Sequence, residues 1–209
     1  GADLETIAQR YNRPKAFPSE VVAQAEQLAG DFSMERALEE RRDIRSTVVM
    51  SIDPIRTRDL DDALSIQRLP EGGYEVGVHI ADVCPFVPQG SPLDEEALLR
   101  SFTTYLVEGE IPVIPEILAN GVCSLHGGED SLALSLFVRL NKAAEVQGIE
   151  LVRTVMHNHC RLGYAKAQAV LDGADHEYAW ELRTLDDLAQ RLRATRKAGG
   201  SLDLNLEDD

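Results

Sequence analysis

The chain has 209 residues, of which 44% are hydrophobic and 27% charged, and a formal net charge of −15. That length supports a substantial core, and that balance belongs to a folded globular protein rather than a disordered one. The acidic excess argues against generic affinity for nucleic acid, whose phosphates attract Lys and Arg. No apolar run approaches the roughly 20 residues of a membrane-spanning helix, so no membrane association is expected. Cys84, Cys123 and Cys160 lack metal-finger spacing and leave one thiol over in any disulfide scheme, which fits reduced, cytoplasmic surroundings. The first residue is Gly rather than Met, with no basic-then-apolar leader, and this reads as a processing or engineered boundary.

The opening reads as helices. Asp3 can cap a short one carrying Leu4, Ile7 and Ala8, and Pro18-Ser19 starts a second with Val21, Val22, Ala25, Leu28 and Ala29 on one face and Gly30 just beyond it. The charged run 35–45 reads as a surface helix and linker. The period then changes: 47–53 and 63–67 read as strands, 70–73 as a turn, and Tyr74, Val76, Val78 and Ile80 alternate with Glu75, Gly77 and His79 as in a half-buried strand. Short links between the three suggest an antiparallel meander. Helical spacing returns over 94–106, then residues 132–140 alternate and pair with 149–160 across 141–148. Helices follow over 164–171 and 177–197, stopped by Gly199-Gly200. Residues 201–206 alternate like the start of another strand, so the sheet is expected to be unfinished; the competing reading is a short acidic tail. The fold class that results is α+β, a largely antiparallel sheet flanked by helices.

The chemistry concentrates in four aspartates within ten residues, Asp53, Asp59, Asp61 and Asp62. Crowded carboxylates repel, and hard divalent ions such as Mg²⁺ take oxygen ligands from one or two carboxylates plus water and phosphate oxygens. Asp53 ends one strand while the other three precede the next, so antiparallel pairing would bring them to one ion, or to two ions bracketing an in-line displacement. The competing reading pairs Arg56 and Arg58 with these acids on a solvated loop. Asp82 reads as a turn cap or a supporting carboxylate. His157 and His159 share a strand face, where packing competes with a soft metal, and Cys123 reads as a small buried residue.

The run Asp53-Pro54 through Asp59-Leu60-Asp61-Asp62-Ala63 resembles the catalytic signature of the ribonuclease II family of exoribonucleases, which includes ribonuclease R and Dis3. His79-Ile-Ala-Asp-Val83, the Gly90-Ser91 to Asp94 helix start, Ser101-Phe-Thr-Thr-Tyr-Leu106, the Ile111 to Leu125 segment and Arg161-Leu-x-Tyr164 follow in the family's order. The resemblance implies Mg²⁺-dependent hydrolysis of single-stranded RNA from its 3′ end to nucleoside 5′-monophosphates, with Mn²⁺ as the alternative ion. Position by position, it makes Asp53, Asp62 and Asp61 metal ligands, Asp61 and Asp59 catalytic, and Asp59 and Tyr105 substrate-binding. Without it, Tyr105 on an amphipathic helix would read as core.

The same resemblance divides the chain into a helical connector, 1–45, and the N-terminal part of the catalytic domain, 46–209, apparently truncated. The family's later Thr-Ser-Pro-x-Arg-Arg segment and its flanking oligonucleotide-binding barrels have no counterpart here, so the rest of the domain and those barrels are expected partners. A non-catalytic RNA- or metal-binding remnant is the alternative.

Overall fold

A computed structural model describes residues 14, 16–106 and 109–201. The helix expected near Asp3 and the alternation over 202–206 lie outside these residues. Helix α1 (Ser19–Gly30) enters from Pro18 and buries Val21 and Ala25, one turn apart. Helix α2 (Met34–Glu40) is capped by Ser33, whose hydroxyl accepts from the Arg36 N–H. Strands β1 (Arg42–Asp43), β2 (Val49–Ile52), β3 (Asp62–Arg68) and β4 (Tyr74–Ala81) follow, then helix α3 (Pro92–Arg100) and a hairpin of β5 (Thr104–Leu106) and β6 (Gly109–Ile111). An irregular helical turn, Leu118–Val122, leads to β7 (Asp130–Leu140), β8 (Val146–Leu162), α4 (Tyr164–Leu171) and α5 (Ala179–Ala198).

The meander β2–β3–β4 is antiparallel, as the spacing predicts, and β4 continues antiparallel to β7 and β7 to β8. The 17-residue β8 then turns its other edge to β1 and β2, in parallel. Among the described residues pairing therefore runs β2–β3–β4–β7–β8 and back to β2, a closed circuit. Closure satisfies backbone donors and acceptors that an open edge would expose.

Two expectations are corrected. The helix read over 94–106 stops at Arg100, because Ser101 takes φ +68° at its C-terminus and Thr103-Thr104 carry the chain into β5. Tyr105 consequently stands on a strand. The alternation of β4 is real, but its polar face is the inner one: His79 is 0% exposed and Ile80 47%. Inside the ring, His79 Nε2 and Nδ1 meet the hydroxyls of Ser65 at 2.9 Å and Ser135 at 2.7 Å, and Ser135 meets Thr154 at 2.6 Å. These partners make burial of an imidazole tolerable. Gly77 leaves the space for them, since a Cβ there would collide with Ser65 Oγ and His79 Nε2. The outward apolar row of β3, β4 and β7 is covered by α5 through Trp180, Leu185 and Leu188 at one end.

Candidate active site

The four aspartates lie where β2 ends and β3 begins. Asp53 follows β2, and its N–H donates to Leu162 O. Leu60 is fully buried between Asp59 and Asp61, so the Asp-Leu-Asp alternation drives an apolar anchor inward and turns its neighbours out. The Leu60 carbonyl accepts from Leu125 N and the Asp61 carbonyl from Ala81 N, which fastens this backbone on both sides. Asp53, Asp59, Asp61 and Asp62 all line one cleft of about 680 Å³, together with Arg56, Arg58, Tyr105, Glu110, Glu116 and Asn120.

The electrostatics are those of crowded acids. Burial raises the Asp53 carboxyl above its ordinary pKa, the charge of Asp62 adds to that, and Arg161 opposes it. Asp61 is raised by desolvation and then by Asp59, Asp62 and Asp53. Arg56 and Arg58 do not neutralise the cluster: among the described residues neither forms an ion pair with these aspartates.

The acids share a cleft without meeting at a point; among the described residues no three carboxylate, imidazole or thiol groups are gathered closely enough to enclose a metal ion. One atom nonetheless asks for a partner: Asp53 Oδ2 is buried and accepts no hydrogen bond. An orphaned buried carboxylate oxygen is costly, and a hard cation is the partner its chemistry suits.

Tyr105 is 66% exposed and reaches over the cleft, its hydroxyl donating to Asp59 Oδ2 at 3.4 Å. Across the β5–β6 hairpin it stands opposite Glu110. Glu110 is raised by burial and by Asp59, and Tyr105 by burial and then Asp59. Sequence reasoning singled out neither Glu110 nor Glu116: both lie beyond the helix read over 94–106, and the hairpin that turns Glu110 back beside Tyr105 was not foreseen.

It also missed two bracing residues. Arg161 Nη2 donates to the carbonyls of Pro54, Ile55 and Thr57, at 3.2, 3.2 and 2.6 Å, and so holds the loop between Asp53 and Asp59. Ser124 Oγ accepts from Leu60 N at 3.0 Å and donates to Arg58 O at 2.9 Å, bracketing Asp59. Both fall in motifs visible in the sequence, but a hydroxyl or guanidinium bound for backbone carries no periodic signal.

The remaining candidates are structural. Asp82 caps Cys84 N and forms a buried ion pair with Arg41 at 2.7 Å. His157 pairs with Asp130 and packs edge-on against His159. Cys84, Cys123 and Cys160 are all free thiols, and burial pushes Cys123 up to about 12, far from a nucleophile's range. No described helix is long and apolar enough to cross a membrane.

A model of the RNB domain matches residues 41–209, and the chain belongs to that family. It is 32% identical over 214 residues to Ribonuclease R of Thermotoga maritima, an alignment spanning 99% of this chain but 30% of that protein. It is 37% identical over 186 residues to Inactive exonuclease DIS3L2 of Arabidopsis thaliana, spanning 81% of this chain and 18% of the relative. Among solved structures, RNase R of Mycoplasma genitalium in complex with ribose methylated single-stranded RNA has a TM-score of 0.84 over 95% of this chain and 32% of its own, at 21% identity, a likeness of fold.

Proposed function

We propose that the chain carries the acidic half of the active site of a 3′-to-5′ exoribonuclease that releases nucleoside 5′-monophosphates from single-stranded RNA. The observation that carries the reading is the convergence of Asp53, Asp59, Asp61, Asp62 and Tyr105 on one cleft in an RNB-family chain. Asp53, Asp62 and Asp61 are the residues to hold Mg²⁺ or Mn²⁺, and the orphaned Asp53 Oδ2 supports that role. When bound, such ions activate water and neutralise charge on the scissile phosphate.

The chain's own groups do the positioning. Asp59, oriented by the Tyr105 hydroxyl, accepts hydrogen bonds from the terminal nucleotide and the attacking water. The exposed Tyr105 ring offers a base-tolerant stacking platform worth about 1–3 kcal/mol per base. Discrimination of RNA from DNA falls to a contact with the 2′-hydroxyl. Much of the cationic surface for the RNA backbone comes from the rest of the domain and from flanking oligonucleotide-binding barrels, a division of labour that the −15 charge supports. Cytoplasmic location belongs to the same proposal and is supported by the free thiols.

In the full-length protein with Mg²⁺, Asp61→Asn is expected to abolish nucleotide release while RNA binding persists; undiminished release would reject the assignment. The second reading, a non-catalytic RNA-binding module, draws on the Arabidopsis relative named inactive. Release of nucleoside monophosphates by the unmodified full-length protein would reject it.

A further inference from the structure

The far end of β3 carries the opposite charge. Arg68 ends that strand, Lys142 lies in the β7–β8 turn and Arg191 lies on α5, and the three line one cavity of about 340 Å³ with Gly72, Gly73 and Tyr74. No carboxylate lines it, in a chain with 36 acidic residues against 21 basic ones.

The cations are held in place by groups other than acids. The Arg68 guanidinium lies over the Trp180 ring, 4.7 Å from its centroid. Lys142 extends across the β3–β4 turn in close contact with Gly72, whose φ of +92° and missing side chain leave room for it. Arg191 Nη2 donates to the Lys142 carbonyl at 2.9 Å, tying α5 to the β7–β8 turn, while its Nη1 reaches Asp187 only at 3.5 Å. Among the described residues, Arg68 and Lys142 have no ion-pair partner. A neighbouring basic residue outside the cavity, Arg139, is by contrast paired with Glu75 at 2.9 Å.

From this placement we infer that the Arg68–Lys142–Arg191 cavity is a phosphodiester-binding site that holds the RNA backbone remote from the acidic cleft. Three basic side chains lining one cavity suit the oxygens of a phosphate group, and Arg and Lys are the residues that neutralise phosphates. Asp62 and Arg68 are the two ends of β3, so the sites are about 20 Å apart at the ~3.3 Å rise of a strand residue. An RNA strand at ~3.4 Å per stacked nucleotide covers that distance in about 6 nucleotides. The inference rests on the RNA reading proposed above, and it makes affinity depend on RNA length.

The test is equilibrium binding of labelled homopolymeric RNA by the full-length protein without divalent ions, across a salt series, so that no turnover is needed. Parent, Lys142→Gln, Lys142→Arg and the Lys142→Gln/Arg191→Gln double variant are compared. For RNA longer than the span, the double variant should bind at least about tenfold more weakly. Its slope of log affinity against log salt should fall by about 0.7, the value for one phosphate contact to a single strand. Trinucleotide binding should be unchanged, and Lys142→Arg should match the parent. Unchanged affinity and slope for long RNA would overturn the inference, as would an equal loss for trinucleotide and long RNA. Inorganic phosphate that shifts the amide resonances of Gly72 and Gly73, with no length-dependent loss, would also overturn it and leave a small-anion site. Length-dependent loss in a protein that never hydrolyses RNA would sustain this site and reject the nuclease reading.

Discussion

Arg161 donates to the carbonyl oxygen of Thr57 at 2.6 Å, and through it β8 holds the loop that separates Asp53 from Asp59. The same nitrogen serves Pro54 and Ile55, so the guanidinium acts on backbone geometry rather than on substrate. Arg161→Met in the full-length protein should lower kcat/KM for RNA by about 10- to 100-fold, the scale of a misplaced reacting group. Its melting temperature should change less than its activity, because two of the three lost contacts are exposed and only that to Thr57 is part-buried. Turnover assays paired with thermal melts check this.

Ser124→Ala should act on stability first. The substitution strips a partner from both Leu60 N–H and Arg58 C=O, and a buried unsatisfied group costs about 1–3 kcal/mol. A shift of the denaturation midpoint with an unchanged denaturant slope would be the expected signature.

Tyr105 separates stacking from hydrogen bonding. Tyr105→Ala should weaken RNA binding by about tenfold or more, matching loss of roughly 1–3 kcal/mol of stacking. Tyr105→Phe keeps the ring and loses only the long 3.4 Å contact to Asp59, so its affinity should stay within about threefold of the parent. Fluorescence titration with single-stranded RNA distinguishes the two.

His79 sets an acid limit on the fold. Burial lowers it from 6.5 to about 4, so between those pH values the unfolded chain binds the proton and the folded one does not. Its contribution to stability is complete above pH 6.5 and declines as pH falls to about 4, by about 3 kcal/mol in all. His79→Gln should flatten that part of the pH profile measured by chemical denaturation.

The acid cluster predicts the opposite sign. Asp53 and Asp61 are raised in the folded state, so each ionised carboxylate destabilises the fold above its own pKa. Asp61→Asn should therefore melt higher than the parent when divalent ions are removed. Adding Mg²⁺ should raise the melting temperature of the parent more than that of the variant.

The elements legible in the sequence are those whose pattern is local. The meander, the β7–β8 pair and helix α4 stand where alternation and helical spacing put them. The four aspartates of the acidic motif line one cleft, but they do not meet at a point as convergence on an ion would require. The misreadings share a physical cause. Alternation reports that a strand has two faces but not which one turns inward, and in β4 the hydrogen-bonding partners of His79 reversed the assignment. Ring closure through parallel pairing of β8 with β2 is a long-range event with no local mark. Tyr105 was assigned to a helix because the stop at Ser101 is made by a positive φ, not by Gly or Pro.

β8 is hydrogen-bonded to β7 over one stretch and to β2 over the next, where Arg161 itself stands opposite Ser51. A single ribbon thus fastens the seam of the ring and sets the height at which the loop-holding guanidinium stands. The seam of the ring and the brace of the acidic loop share one strand. Weakening the seam far from any aspartate, for instance at the β7–β8 register, should detune the acidic cleft well before the molecule unfolds.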